Sequence, residues 1–230
     1  MSKIVLIESS TSLCSVALAI DGRCVCSRQS STPRAHASLT APFVAEVLEE
    51  AGIKIKDCDA VALSAGPGSY TGLRVGSSTA KGLCFASGLP LIAVSTLEVL
   101  VRQAIDAGAA EGCSYIVPMI DARRMEVYSC VYSPTGERLS KIEAVIVEEG
   151  SFAEQLSQGK VLFVGDGADK CRPVLTGDNA AFMQIEPHAS AMAALAQQAF
   201  EQKQFQNCAY FEPFYLKQFT PTVSKKNNIF

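Results

Sequence analysis

The sequence predicts an α/β protein of two like lobes, each a mixed five-stranded sheet flanked by helices, on three observations. The apolar run Ile4-Val5-Leu6-Ile7 ends in Glu8, and Ile116-Val117-Pro118-Met119-Ile120 ends in Asp121. Each run is followed by two strand-like segments, a helical segment and a fourth apolar run, Ala60 to Ser64 in one half and Val161 to Val164 in the other. Each fourth run then opens into glycines, Gly66-Pro67-Gly68 and Gly165-Asp166-Gly167. One element order repeated with the same punctuation marks a duplication, and two lobes facing a cleft follow from it.

In chain order, Ile4 to Ile7 is the first strand and Glu8 to Leu13 a polar turn. Cys14 to Ile20 partly alternates and stops at Asp21-Gly22, so that Arg23 to Gln29 completes an antiparallel meander. From His36 to Ala51, Leu39, Phe43, Val44, Val47, Leu48 and Ala51 recur at helical spacing, Glu46, Glu49 and Glu50 take the wet side, and Gly52 suits the stop. Pro42 is expected near the first turn or at a kink, because proline removes a helix hydrogen bond. A helix from about Thr71 to Ser87 follows the first glycine turn. The second half repeats the order with strands Met125 to Tyr132 and Leu139 to Val147, a short helix Ser151 to Leu156, and the run at Val161. Ser190 to Gln204 reads as an amphipathic helix with Ser190 as N-cap, and Tyr210 to Phe219 is rich in aromatics and prolines. The expected division is a first lobe 1–108, a second lobe 109–207, and a segment 208–230 that packs back and frays from Ser224.

With 230 residues, 48% of them hydrophobic, the chain can bury a large core. A formal charge of −3 argues against tight nucleic-acid binding by the chain alone, since such binding rests on clustered Lys and Arg. A modest RNA-facing patch could draw only on Arg123, Arg124, Lys217, Lys225 and Lys226. The first ten residues lack a signal peptide's apolar region, no run is long enough to span a membrane, and a cytoplasmic location is expected. Nine cysteines without a C-x-x-C pair fit neither a zinc site nor a disulfide framework and read as buried thiols in a reducing compartment.

The stretch SAGPGSYTGLRVGSSTAKGL, Ser64 to Leu83, carries the functional question. A glycine turn between a strand and a helix can bring bare backbone amides to a phosphate. Here, however, Thr71 stands where a dinucleotide fingerprint needs its third glycine, and Lys81-Gly82 does not make a P-loop. Within the helix, Gly72, Gly76 and Ala80 form a stripe without bulk, and each interior glycine costs roughly 1 kcal/mol against alanine. Close approach of another element must offset that cost, either the chain's own first helix or a second subunit.

Duplicated lobes of this order resemble the actin, sugar-kinase and heat-shock ATPase superfamily, with its ribonuclease H-like sheets. Within it, IVLIESSTSLCSVAL, HASLTAPFVAEVLEEAG, AVALSAGPGSYTGLRVGSSTAKGL, PMIDARRMEVYSCVY and FEPFYL closely resemble the TsaB (YeaZ) family of tRNA threonylcarbamoyladenosine biosynthesis proteins. The resemblance implies a non-catalytic paralogue of TsaD, the enzyme that transfers threonylcarbamoyl to the adenosine beside the anticodon of tRNAs reading ANN codons. It implies a scaffold that pairs with TsaD through the first-lobe helices, is joined by the ATPase TsaE, meets tRNA through the complex, and forms a homodimer when alone. The interface expected on that basis is Leu39, Phe43, Val47, Gly72, Leu73, Val75, Gly76, Thr79 and Ala80.

Catalytic TsaD-like chains carry H-x-x-x-H on the first helix, where two imidazoles one turn apart can grip a metal. The corresponding piece here is His36-Ala37-Ser38-Leu39-Thr40, and His188 is the only other histidine, so no metal is assigned and no cofactor is expected to be required. A vestigial nucleotide cleft, with room for weak ATP or ADP binding, would comprise Glu8, Ser10, Thr11, Gly66, Gly68 and Asp121. Glu8 and Asp121 facing one another would be an acid/base pair, and the alternative is that they are strand-end carboxylates paired to Arg123 or Arg124. The rival reading of the whole chain is a weak ATPase using Glu8, Thr11 and Asp121, or a metallopeptidase-like enzyme, for which two separated histidines supply no zinc site.

Overall fold

The computed structural model describes residues 1–217. The frayed end expected from Ser224, and Lys225 and Lys226, lie outside the described residues.

The first lobe opens with β1 (Lys3–Glu8), β2 (Cys14–Ile20) and β3 (Arg23–Ser30), joined as an antiparallel meander. Helix α1 (His36–Glu50) leads to β4 (Ala60–Ser64), and α2 (Tyr70–Ser87) to β5 (Leu91–Val94), so that β4 and β5 lie parallel to β1. Then α3 (Thr96–Asp106) crosses to the second lobe, which repeats the meander as β6 (Tyr115–Asp121), β7 (Glu126–Ser129) and β8 (Glu143–Ile146). Helix α4 (Ala153–Gln158), β9 (Val161–Val164), α5 (Ala168–Cys171) and β10 (Ala180–Met183) complete it, and α6 (Ala193–Glu201) and β11 (Phe205–Gln206) follow. The strand orders are β11-β5-β4-β1-β2-β3 and β10-β9-β6-β7-β8. Leaving out β11, the two orders are the same, which is the duplication expected from the sequence.

Continuous apolar strands make sense because both faces of each sheet are covered. Along β1, Val5 and Ile7 face one side with Val44 and Val47 of α1 and Ala80 and Cys84 of α2. Ile4 and Leu6 face the other with Met192, Ala193 and Ala196. In β6, Ile116 and Ile120 meet Leu97, Leu100 and Ala104 of α3, while Val117 and Met119 meet Phe163 and the α5 side. Helix α3 is shared, since Val99 belongs to the first-lobe core while Leu97 and Leu100 belong to the second.

Packing therefore does not follow the expected division at 108/109. Residues 189–201, counted with the second lobe, return to cover the first sheet, and β11 adds a sixth strand to it through β5. The 190–204 helix is also shorter than expected. It starts as a 3₁₀ turn, Ala189–Met192, and Ser190 is not the cap: the His188 ring Nδ1 accepts from the Ser190 amide at 3.1 Å. The strand expected to run to Tyr132 stops at Ser129, because the next residue, Cys130, falls opposite Pro118, which has no amide to donate; Tyr132 keeps the same antiparallel register as an isolated bridge to Ile116. Helix α1 runs through Pro42 on its exposed side.

Leu100 is fully buried where α3 meets the second sheet. Leu100→Ala is expected to cost about 2–5 kcal/mol in urea unfolding; a loss within 0.5 kcal/mol would show that α3 does not tie the lobes together.

Candidate functional site

The β1–β2 turn and the start of α2 are built as one unit. Ser69 caps α2, its hydroxyl accepting from the Gly72 amide, and the Ser69 amide donates to the Ser10 carbonyl at 2.7 Å. The Ser9 hydroxyl donates to the Gly72 carbonyl at 2.9 Å. A Cβ on Gly72 would lie 2.0 Å from the Ser9 carbonyl oxygen, one on Gly76 2.3 Å from Ser9 Oγ, and one on Gly68 2.5 Å from the Ser10 carbonyl oxygen. At Gly72 and Gly76 the bare stripe of α2 is therefore filled by the β1–β2 turn of the same chain, while Ala80 packs in the core with Val44 and Val47 of α1.

That contact corrects the expected interface. Phe43, Val47, Gly72, Leu73, Gly76 and Ala80 are all buried inside the single chain, and Leu39, Val75 and Thr79 are half-buried. The outward faces of the two adjoining helices carry other residues, which the sequence reading did not select: Ala41, Pro42 and Ala45 on α1, and Gly82, Phe85 and Ala86 on α2. Phe85 is 91% exposed, the most exposed large apolar side chain after Met1 among the described residues. The signal was in the sequence: with Leu73, Ala80 and Cys84 facing inward, helical spacing turns Gly82 and Phe85 outward.

The cleft residues do not converge as a catalytic set. Glu8 is fully buried and Asp121 is exposed. Glu8 Oε1 accepts from the Ser10 amide at 2.7 Å, and Oε2 has no partner, like the buried hydroxyls of Ser10, Thr11 and Ser64. Burial pushes the Glu8 carboxyl up to about 7, an effect that the Ser10 and Ser9 amides and the nearby Ser10 and Ser64 hydroxyls only partly offset. Asp121 is paired with Lys170 at 2.5 Å rather than with Arg123 or Arg124, and Arg123 contributes only its amide, 2.8 Å from Asp121 Oδ1. Behind it Asp166 accepts from the Asp121 amide at 3.0 Å, and burial followed by the charges of Asp121 and Glu186 raises it to about 6.

The glycine turn is also occupied from within. A Cβ on Gly66 would lie 2.7 Å from the Phe214 carbonyl oxygen, and the Phe214 amide donates to the Ala65 carbonyl at 2.7 Å. Thus FEPFYL lies across the turn, with Pro213 buried and Phe211 packed on the first-lobe core. Lys217 of this strap pairs with Glu126, which places it beside the Arg123-Arg124 turn but neutralises its charge. The two histidines hold separate loops: His36 Nε2 is 3.0 Å from the Thr11 carbonyl, and His188 Nδ1 is 2.7 Å from Ser190 Oγ. Thr40, at the second position of the H-x-x-x-H pattern, is buried and donates to the His36 carbonyl. Among the described residues no three of His, Cys, Asp and Glu are grouped to hold a metal.

The family model for TsaD, tRNA N6-adenosine threonylcarbamoyltransferase, matches residues 29–221. Two proteins named tRNA threonylcarbamoyladenosine biosynthesis protein TsaB align over nearly the whole chain. That of Haemophilus influenzae is 32% identical over 92% of each chain, and that of Escherichia coli 32% identical over 94% of each. The chain belongs to the TsaB family. The solved structure of YeaZ from Pseudomonas aeruginosa superposes with a TM-score of 0.82 at 30% identity, over 94% of this chain and all of that one. The fold is thus common to this family member and a solved relative. No helix of the described residues is long and apolar enough to cross a membrane.

Two tests follow from this geometry. Gly72→Ala is expected to destabilise the protein by more than about 2 kcal/mol although alanine is the better helix former, whereas Gly82→Ala, with nothing within 4 Å of the new methyl, is expected to stabilise it by about 0.5–1 kcal/mol. Equal effects at the two positions in chemical denaturation would contradict the packing described. Glu8, raised in the folded state from its ordinary 4.5 to about 7, contributes its full stability below 4.5 and loses it as pH rises through about 7. Glu8→Gln is therefore expected to flatten the fall in stability across that window relative to the wild type, which retains Asp166 in both proteins; parallel curves would refute the assignment.

Proposed function

We propose that this chain is a non-catalytic scaffold subunit in the biosynthesis of tRNA threonylcarbamoyladenosine. In this reading it pairs with TsaD, the enzyme modifying the adenosine beside the anticodon of ANN-reading tRNAs, and TsaE joins the pair. It requires no cofactor of its own, meets tRNA through the complex, and associates with itself when TsaD is absent. Membership of the TsaB family supports the pathway, and one structural observation carries the scaffold role: the outward face of α2 and its neighbour α1 presents Phe85, Gly82, Ala86, Ala41 and Ala45 to solvent. A nearly fully exposed phenylalanine among small residues is poorly placed for a lone chain and well placed for helix-on-helix packing, since small side chains let a partner helix approach. The inward face of the same helix is already filled by Ser9, so the free face is the one left for a partner.

The burial of Glu8, the Lys170 pairing of Asp121 and the separate duties of His36 and His188 favour a scaffold over a weak ATPase or a metallopeptidase. Size-exclusion chromatography with light scattering, on the chain alone and mixed with TsaD of the same organism, tests the role. Phe85→Asp is expected to abolish both the homodimer and the heterodimer while leaving the circular dichroism spectrum unchanged. A variant that associates like the wild type would place the interface elsewhere, and a wild type monomeric in both samples would remove the scaffold reading.

A further inference from the structure

Most of the nine cysteines sit singly in the core, but two thiols meet from distant parts of the chain. Cys84, in the last turn of α2, is buried in the first-lobe core, and Cys208, in the segment after β11, packs on the same cluster. The Cys208 side chain is close enough to the Cys84 thiol to bear on its ionisation. The Cys208 thiol also reaches the Lys81 carbonyl, at 3.7 Å, on the turn of α2 that precedes Cys84. Lys81 pins the backbone just beyond Cys208, its Nζ donating to the Ala209 carbonyl at 3.2 Å and the Phe211 carbonyl at 3.1 Å. Cys208 is thus fixed against the turn of α2 that carries Cys84, and a disulfide asks for a short Cβ–Cβ separation that moving backbones seldom keep. The other near neighbours, Cys24 and Cys26, do not compete: the Cys24 thiol is turned to the Cys26 carbonyl, at 3.5 Å, and the Cys26 thiol to the Val47 carbonyl, at 3.3 Å.

We infer that Cys84 and Cys208 are an oxidisable pair that closes to a disulfide and staples the C-terminal strap to α2. The oxidant is hydrogen peroxide. Cys208, the more exposed of the two, attacks the peroxide oxygen: an S–O bond forms, the O–O bond breaks, and hydroxide leaves with the thiol proton as water. The Cys84 sulfur then attacks the sulfenic sulfur, the S–S bond forms, the S–O bond breaks, and a second water carries off the Cys84 proton. Two thiols lose two electrons and one peroxide becomes two waters. Burial and the neighbouring Cys208 push the Cys84 thiol up to about 12, which fits the order of the steps, since Cys84 is too weakly ionised to attack the peroxide first.

The wild-type chain, treated with a small molar excess of hydrogen peroxide, alkylated, digested without reductant and read by mass spectrometry, tests this pair. The expected product is a monomer in which the Cys84 peptide is joined to the Cys208 peptide, with two fewer alkylated thiols and full reversal by dithiothreitol. Cys24→Ser is expected to keep the link and Cys208→Ser to abolish it, and the oxidised wild type is expected to melt a few degrees above the reduced form. Recovery of Cys84 as a free thiol while Cys208 is over-oxidised, or of Cys208 joined to Cys24 or to another copy, would overturn the inference. Because the decisive reading is made on the unaltered chain, failure of a variant to fold cannot rescue or sink it.

Discussion

The contact of Ser9 with the bare face of α2, its backbone carbonyl on Gly72 and its hydroxyl on Gly76, is the constraint from which much of the first lobe follows. It brings the β1–β2 turn to the N-terminal end of α2, so that the Ser69 amide can bond the Ser10 carbonyl and the Ser9 hydroxyl the Gly72 carbonyl. These bonds satisfy polar groups that would otherwise be buried without partners. They also spend the amides and the open space that a phosphate would use. A stretch with the composition of a nucleotide turn thereby becomes a structural joint. The same joint rolls α2 until Leu73, Ala80 and Cys84 face the sheet, which leaves Gly82, Phe85 and Ala86 outward.

Charge is distributed to match. The one carboxylate at the joint, Glu8, is sealed behind it with an unpartnered oxygen and three unpartnered hydroxyls nearby, an arrangement whose cost is lowered by keeping the proton. Its counterpart in the duplicate, Asp121, stays in solvent and is neutralised by Lys170. The two lobes are alike in topology but have diverged in chemistry at equivalent strand ends. A duplicated sheet therefore does not imply two working halves of an active site.

The lobes are held to each other by exchanged helices rather than by a linker. Helix α3 leaves the first lobe to pack on β6, and residues 189–201 return from the second to cover β1 and β2. The Ser12 hydroxyl bonds the Glu186 carboxylate, and Gln103 bonds the backbone of Glu186 and His188 at the same junction. With the C-terminal strap lying over the glycine turn, the first lobe is closed on the side where the sequence suggested an opening.

The element order along the chain, the first meander and its repeat, the duplication and α1 and α2 were legible in the sequence because they depend on local pattern: apolar runs of strand length, helical spacing, and glycine or proline at the ends. Helix α3 and strands β5, β10 and β11 were not read. Thr96–Asp106 does carry a polar stripe, Glu98, Arg102 and Asp106 one turn apart, so its helical spacing was there to be read, whereas the other three are only two to four residues long. The site shows the same limit. The sequence by itself determined that α2 carries a stripe without bulk and that only two histidines exist, for these are statements about residue type and spacing. Only the tertiary structure decided that Ser9 fills the stripe at Gly72 and Gly76, that Glu8 is sealed and that Asp121 is not. Each of these depends on which distant backbone arrives at a given face, and spacing along the chain carries no information about that arrival.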